Sequence, residues 1–226
     1  MAENHSADTQ TKQPPAPEAL NRLKAGNDRY VSGRHNDYDF AQQRRETENG
    51  QQPFAAIVSC MDSRTSAELV FDLGLGDIFS IRNAGNVVTD AALGSLEYAT
   101  AAVGVKLIVV MGHTACGAVK GACDNVELGH LTALLQEIKP ATAAARNVPG
   151  EHNSKNAEFV QQVTHEHAVQ GVRRIMERSS VIRELVEKGQ VGLCPAVYDI
   201  ASGQVQFLEE NAVMPSAAGT GQQATA

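Results

Sequence analysis

Residues 53–64 read PFAAIVSCMDSR and residues 106–119 read KLIVVMGHTACGAV. Each begins with a short apolar run rich in β-branched residues and breaks into polar ones, the pattern of a buried parallel strand running out of its sheet. In open α/β sheets, ligands bind in the crevice at the carboxyl ends of such strands. Standing at those ends are Cys60, Asp62 and Arg64 after the first run, and His113 and Cys116 after the second. Two cysteines and a histidine are ligand types that Zn²⁺ prefers. Three protein ligands leave the fourth tetrahedral position to water, as in a catalytic metal site.

Around these runs, strand and helix signals alternate. Pro17 opens a helical pattern through Leu20, Leu23 and Tyr30 that ends near Gly33, and a second polar helix is expected over Ala41–Asn49. Neither shows enough apolar face to be a core element, so residues 16–50 read as a helical arm that packs on something else, such as a second subunit. Beyond the first strand come a short helix over Ala67–Leu73, a strand at DIFSIRN (77–83) and a helix over Ala91–Val103. After the second apolar run, helices are expected over Thr114–Ala122, through Leu131, Leu134, Leu135 and Ile138, over Asn156–Met176, and over Ser180–Lys188. QVGLCPAVYDI (190–200) and QVQFLEE (204–210) then form a hairpin-like strand pair. Repeated βα units of this kind give an α/β fold, a mainly parallel central sheet flanked by helices, with an N-terminal helical arm and a C-terminal strand pair. The expected organisation is a disordered leader over residues 1–15 and one domain over 16–226, with no internal repeat.

Composition narrows the function. A formal net charge of −7 and a pI near 5.5 argue against a nucleic-acid surface, which needs clustered Lys and Arg. The longest apolar run, around Leu107–Met111, falls far short of the ~20 residues of a membrane-spanning helix. The polar, Pro-rich start MAENHSADTQTKQPPAP has no apolar signal-peptide core, yet it is also what remains after a signal is cleaved, so location stays open between cytoplasm and periplasm. Of the four cysteines, Cys60 and Cys116 sit in metal-like settings, which suits metal better than a disulfide framework, while Cys123 and Cys194 read as small buried hydrophobes. His165 and His167 point about 200° apart on a helix, cannot share one metal, and read as surface or partner-facing.

Zn²⁺ held by two thiolates and a neutral imidazole carries little net charge, so its water is acidified less than in an all-histidine site. A helper is needed. Asp62 can accept a hydrogen bond from the metal's hydroxide and Arg64 can hold that carboxylate in a bidentate pair; alternatively Asp62 itself can ligate the metal and close the site. His113 is expected at the strand end and Cys116 in the first helical turn, where the helix N-terminus favours the thiolate. Gly112 and Gly117 leave room for the backbone to fold tightly there.

C-x-D-x-R at Cys60–Arg64, then GDIFSIRNAGN (76–86), then GHTxCGAV (112–119) together resemble the β-class carbonic anhydrases. The resemblance is specific over residues 53–119 and looser elsewhere. It implies one Zn²⁺ per subunit on Cys60, His113 and Cys116, an Asp62–Arg64 dyad, and interconversion of CO₂ and bicarbonate. It places substrate contacts at Gln51, Phe79, Tyr98 and Gly117, with Phe79 and Tyr98 supplied by a neighbouring subunit, so that a homodimer, or a dimer of dimers, is the smallest complete unit. Ile57 stands where the bicarbonate-inhibited subtype has tryptophan, which favours the open, plant-like subtype. The rival readings are a COS or CS₂ hydrolase on the same scaffold, and a non-catalytic bicarbonate sensor or zinc store.

Overall fold

A computed structural model describes residues 13–215. The leader expected at 1–15 lies outside them except for its last three residues. Nine α-helices and five strands are found among the described residues. Helices α1 (Ala16–Val31) and α2 (Phe40–Glu46) precede β1 (Ala55–Cys60), α3 (Ala67–Val70) and β2 (Ile78–Asn83). Helix α4 (Asp90–Glu97), β3 (Leu107–His113), α5 (Gly117–Cys123), α6 (Gly129–Gln136) and α7 (Lys139–Ala144) follow. The chain closes with α8 (Ala157–Arg178), α9 (Ser180–Glu187), β4 (Gly192–Tyr198) and β5 (Val205–Phe207).

The strands form one sheet in the order β2-β1-β3-β4-β5, parallel except for the antiparallel β4–β5 pair. Every residue of β1, β3 and β4 is buried, because helices cover both faces. One face carries Ala55, Ile57, Leu107, Val109 and Met111 against α1 and α3; the other carries Ala56, Val58, Ile108 and Val110 against α4, α8 and α9. A third apolar cluster, built from α5, α6, α7 and the start of α8, closes over the strand ends and includes Cys60 and Cys116. The expected α/β architecture is thus present. Boundaries moved by a few residues, α7 had not been foreseen, and the expected Ala91–Val103 helix continues past α4 as a π-helical turn over Tyr98–Ala102.

The reading of the N-terminal arm needs a correction. Helix α2 buries none of its residues, as expected, but α1 is a core element, with Ala16, Ala19, Leu20 and Leu23 fully inside. Few large apolar side chains were visible because close approach, rather than side-chain bulk, makes this contact. A Cβ on Gly26 would lie 1.9 Å from the Phe71 carbonyl oxygen, so only glycine lets α1 lie so near. The next residue, buried Asn27, donates to the carbonyls of Val70 (3.0 Å) and Gly203 (2.9 Å) and accepts from Val205 N–H (2.8 Å). These three bonds tie α1 to α3 and to the β4–β5 hairpin.

Replacing Asn27 with Ala leaves three backbone groups without this partner, two of them buried, each buried one costing roughly 1–3 kcal/mol. Urea denaturation of Asn27→Ala should show a loss of about 3 kcal/mol, whereas a loss below a few tenths would show that water replaces the side chain there.

Candidate metal centre

The register of β1 on β3 sets Ser59 opposite Met111, so the two neighbouring strands run out together and deliver Cys60 and His113 to the same edge of the crevice. The chain after His113 must then reverse within the reach of one metal. It does so at Ala115, which takes φ +59, a left-handed conformation that costs a residue with a side chain roughly 1–2 kcal/mol. Cys116 follows as the N-cap of α5, with extended backbone (φ −65, ψ 121), and not inside the first helical turn as the sequence suggested. Cap residues are non-helical, which is what lets a side chain at this point turn back along the helix axis.

The result is a buried group of Cys60, His113 and Cys116 whose ligand atoms all lie within 4.8 Å of one another. The two sulfurs stand 4.0 Å apart, too far for a disulfide. Two sulfurs at about 2.3 Å from a shared tetrahedral ion would stand roughly 3.8 Å apart, close to the spacing found. His113 Nδ1 lies 2.9 Å from the Thr114 carbonyl oxygen. A carbonyl only accepts, so Nδ1 carries the proton and Nε2 keeps its lone pair. That Nε2 is buried and has no hydrogen-bond partner among the described residues. An orphaned imidazole lone pair beside two thiols is what a thiophilic divalent cation would satisfy, so the residues fit the metal that the resemblance implies.

The contact between the two sulfurs moves their thiols in opposite directions. The Cys60 thiol is pulled down to about 3, first by the hydrogen bond with Cys116 and further by His113 and the backbone N–H groups of Asp62 and Gly85. Those two N–H groups lie 3.4 and 3.3 Å from the sulfur. Cys116 is pushed up by the same bond to Cys60 and by burial. The other two cysteines behave as expected for buried, inert thiols: burial pushes Cys123 up to about 11 and Cys194 up to about 12.

Asp62 lies outside the ligand group and faces Arg64. Arg64 Nε and Nη2 donate to its two oxygens at 2.9 and 2.7 Å, and Arg64 N–H adds a third bond at 3.0 Å. The Arg64 side chain, then its backbone N–H, holds the Asp62 carboxyl well below the usual carboxylate range against the opposing effect of burial. Sequence reasoning missed what anchors this turn. Arg82 on β2 donates to the carbonyls of Cys60 (3.1 Å) and Asp62 (2.6 Å), and the Thr65 hydroxyl lies 3.0 Å from each of the same oxygens. An arginine directly after the apolar positions of an edge strand was the available signal.

The remaining expected residues do not gather in one chain. Phe79 and Tyr98 lie with ring centroids 6.1 Å apart and line a cleft of about 540 Å³ with Ser80, Ile81, Ala91, Gly94 and Ser95, away from the thiols. Gln51 is exposed ahead of β1, and Gly117 is exposed with open space where a side chain would stand. His167, expected at the surface, is instead buried on α8, because its turn of the helix faces the 84–86 segment.

The family model described as carbonic anhydrase matches residues 55–205. The chain belongs to the carbonic anhydrase family. Carbonic anhydrase 2 of Mycobacterium tuberculosis is 37% identical over 192 residues, spanning 82% of this chain and 89% of that protein. The β-carbonic anhydrase CafA of Aspergillus fumigatus superposes with a TM-score of 0.64 at 26% identity over 86% of this chain and 93% of its own. A tetrameric β-carbonic anhydrase of Sordaria macrospora gives the same TM-score at 23% identity, over 84% of this chain and 97% of its own. The fold is accordingly that of the β class, and the activity that goes with membership is the reversible hydration of CO₂.

Because the Asp62 carboxyl is depressed in the folded state, its pairing stabilises the fold above the ordinary carboxylate pKa. That contribution is lost as pH falls through the depressed value. In Arg64→Ala, carbon-13 NMR should find Asp62 titrating back near ~3.9. An unchanged low value would assign its ionisation to something other than Arg64.

Proposed function

We propose that this enzyme hydrates CO₂ at a single Zn²⁺ held by Cys60, His113 and Cys116, in the open form of the site. The observation that carries the reading is the convergence of two buried sulfurs and an unpartnered imidazole nitrogen on one point. Bound there, Zn²⁺ supplies Lewis acidity that makes a water molecule a nucleophile near neutral pH.

The chain's own residues do the rest. Arg64 keeps Asp62 ionised, so this carboxylate offers only acceptor oxygens and takes the hydrogen bond of the attacking water, leaving that oxygen's lone pair directed at CO₂. Asp62 is engaged with Arg64 and is not drawn into the ligand group, and Ile57 adds no tryptophan behind Cys60; both support the open form. The open space beside Gly117 suits a small linear substrate, and Gln51 is the proposed donor to an oxygen of CO₂ or bicarbonate. The carbon–oxygen bond forms as water adds, and the proton released leaves to buffer.

Phe79 and Tyr98 belong in this reading to a neighbour's site. They stand on and beside β2, an edge strand, and Tyr98 is 58% exposed. A homodimer pairing at this edge would place them over the partner's metal and give α2, which buries nothing in its own chain, a surface to cover. The Sordaria relative, which shares this fold, is tetrameric, in keeping with assembly of subunits.

Three experiments test this. Metal analysis of the purified protein should find one zinc per subunit, lost in Cys60→Ser, Cys116→Ala and His113→Ala; full zinc in Cys116→Ala would overturn the ligand set. Asp62→Asn should keep its zinc and lose about a hundredfold in CO₂ hydration. Hybrids of Asp62→Asn subunits with Phe79→Ala/Tyr98→Ala subunits should regain activity that neither parent shows, since one site in the hybrid dimer is then complete. No recovery would mean that the two rings do not serve the neighbour.

A further inference from the structure

Cys60 does not meet the metal site as a bare thiolate. Its sulfur accepts the N–H of Gly85 at 3.3 Å, from a segment that joins β2 to α4 and crosses the strand ends. Gly85 lies in the left-handed region at φ +69, and a Cβ there would come within 2.9 Å of Ile138 Cδ1 and 3.0 Å of Ala118 Cβ. Packing against α5 and α7 therefore confines it on one side. On the other side its carbonyl oxygen lies 2.7 Å from Nε2 of His167, a ring that reaches it from the middle of α8. A carbonyl accepts only, so Nε2 donates. Burial lowers the pKa of this imidazole, which keeps the ring neutral and its tautomer set by the one bond it makes.

The carbonyl and the N–H of Gly85 belong to successive peptide groups hinged at its Cα. Glycine is the residue least able to hold such a hinge by itself, since both of its dihedrals are free of side-chain restriction. Pinning the carbonyl removes that freedom and fixes where the N–H points. We propose that His167 is a positioning residue for the metal centre: its hydrogen bond to Gly85 holds the Gly85 N–H on the Cys60 sulfur, and so sets how much negative charge that thiolate delivers to the ion. A donor on a thiolate draws charge from it, stabilises it against protonation and leaves the metal a stronger Lewis acid. This matters most where two thiolates already neutralise the ion.

The inference rests on the metal reading above, and the two fail differently. Wild-type protein that takes up no zinc would sink that reading; normal uptake with indifferent variants would sink this one. The variants are His167→Leu, which has no donor, and His167→Gln, whose amide nitrogen stands where the ring Nε2 does. Zinc release to a competing chelator and the thiolate-to-metal charge-transfer band of the cobalt-substituted protein are the readouts, alongside thermal melting of the metal-free protein. Expected for His167→Leu are zinc affinity lower by about tenfold, the lower end of what outer-shell partners contribute, and a shifted cobalt band. His167→Gln should recover most of both. If His167→Leu keeps wild-type affinity and spectrum, whatever its melting temperature, or if His167→Gln is as impaired as His167→Leu, His167 only fills space. Should His167→Leu fail to fold, His167→Asn, whose shorter amide cannot reach Gly85, takes its place.

Discussion

Parallel pairing of β1 with β3 is the constraint on which the centre depends. Cys60 and His113 are far apart in sequence, and nothing local brings them together. Their strands lie side by side and end within one residue of each other, so the last residue of each enters the same crevice. Once those two are placed, only Cys116 must be supplied by a local device. The left-handed Ala115 does this, at a conformational cost that the third apolar cluster, closing over both cysteines, offsets by burial.

Burying two thiols and an imidazole without compensation would be costly, because low dielectric disfavours a thiolate. The chain answers with donors that other elements hold in place. The N–H groups of Asp62 and Gly85 meet the Cys60 sulfur, the Thr114 carbonyl fixes the His113 tautomer, and Arg82 and Thr65 brace the carbonyls of the turn that carries Asp62. Asp62 and Arg64 form their pair on the solvent side of this framework, where Arg64 is half exposed. There the pair adds little to stability, and its visible effect is to keep the Asp62 carboxyl ionised.

Elsewhere the fold is tightened by close approach more than by large side chains. Gly26 lets α1 rest on the Phe71 carbonyl, and Asn27 uses its donor and acceptor groups on three backbone partners at once. Small residues and a polar clamp leave little trace in a hydrophobic pattern, which is why α1 read as an arm packing on something else, such as a second subunit, when it is part of the core. The same reasoning separates it from α2, which buries none of its residues and is tied to the chain by contacts such as the Gln43 side-chain oxygen accepting from Leu75 N–H.

The linear sequence was enough for what depends on local pattern. Apolar runs ending in Cys60 and His113, the spacing of Asp62 and Arg64, the end signals of α1 and the apolar period of α8 each follow from chemistry within a few residues. From these came the parallel sheet, the Cys60–His113–Cys116 group and the carboxylate–guanidinium pair. Only the tertiary structure decided which distant groups complete them. Arg82, Thr65 and Gly85 act through backbone atoms or reach across strands, and His167 looked like a surface histidine because a helix turn has no inside until another segment packs on it. Phe79 and Tyr98 lie outside the trio's reach within one chain. Side-chain type is written in the sequence; the partner a backbone N–H or a buried ring finds is set by packing between elements, and packing is a property of the folded whole.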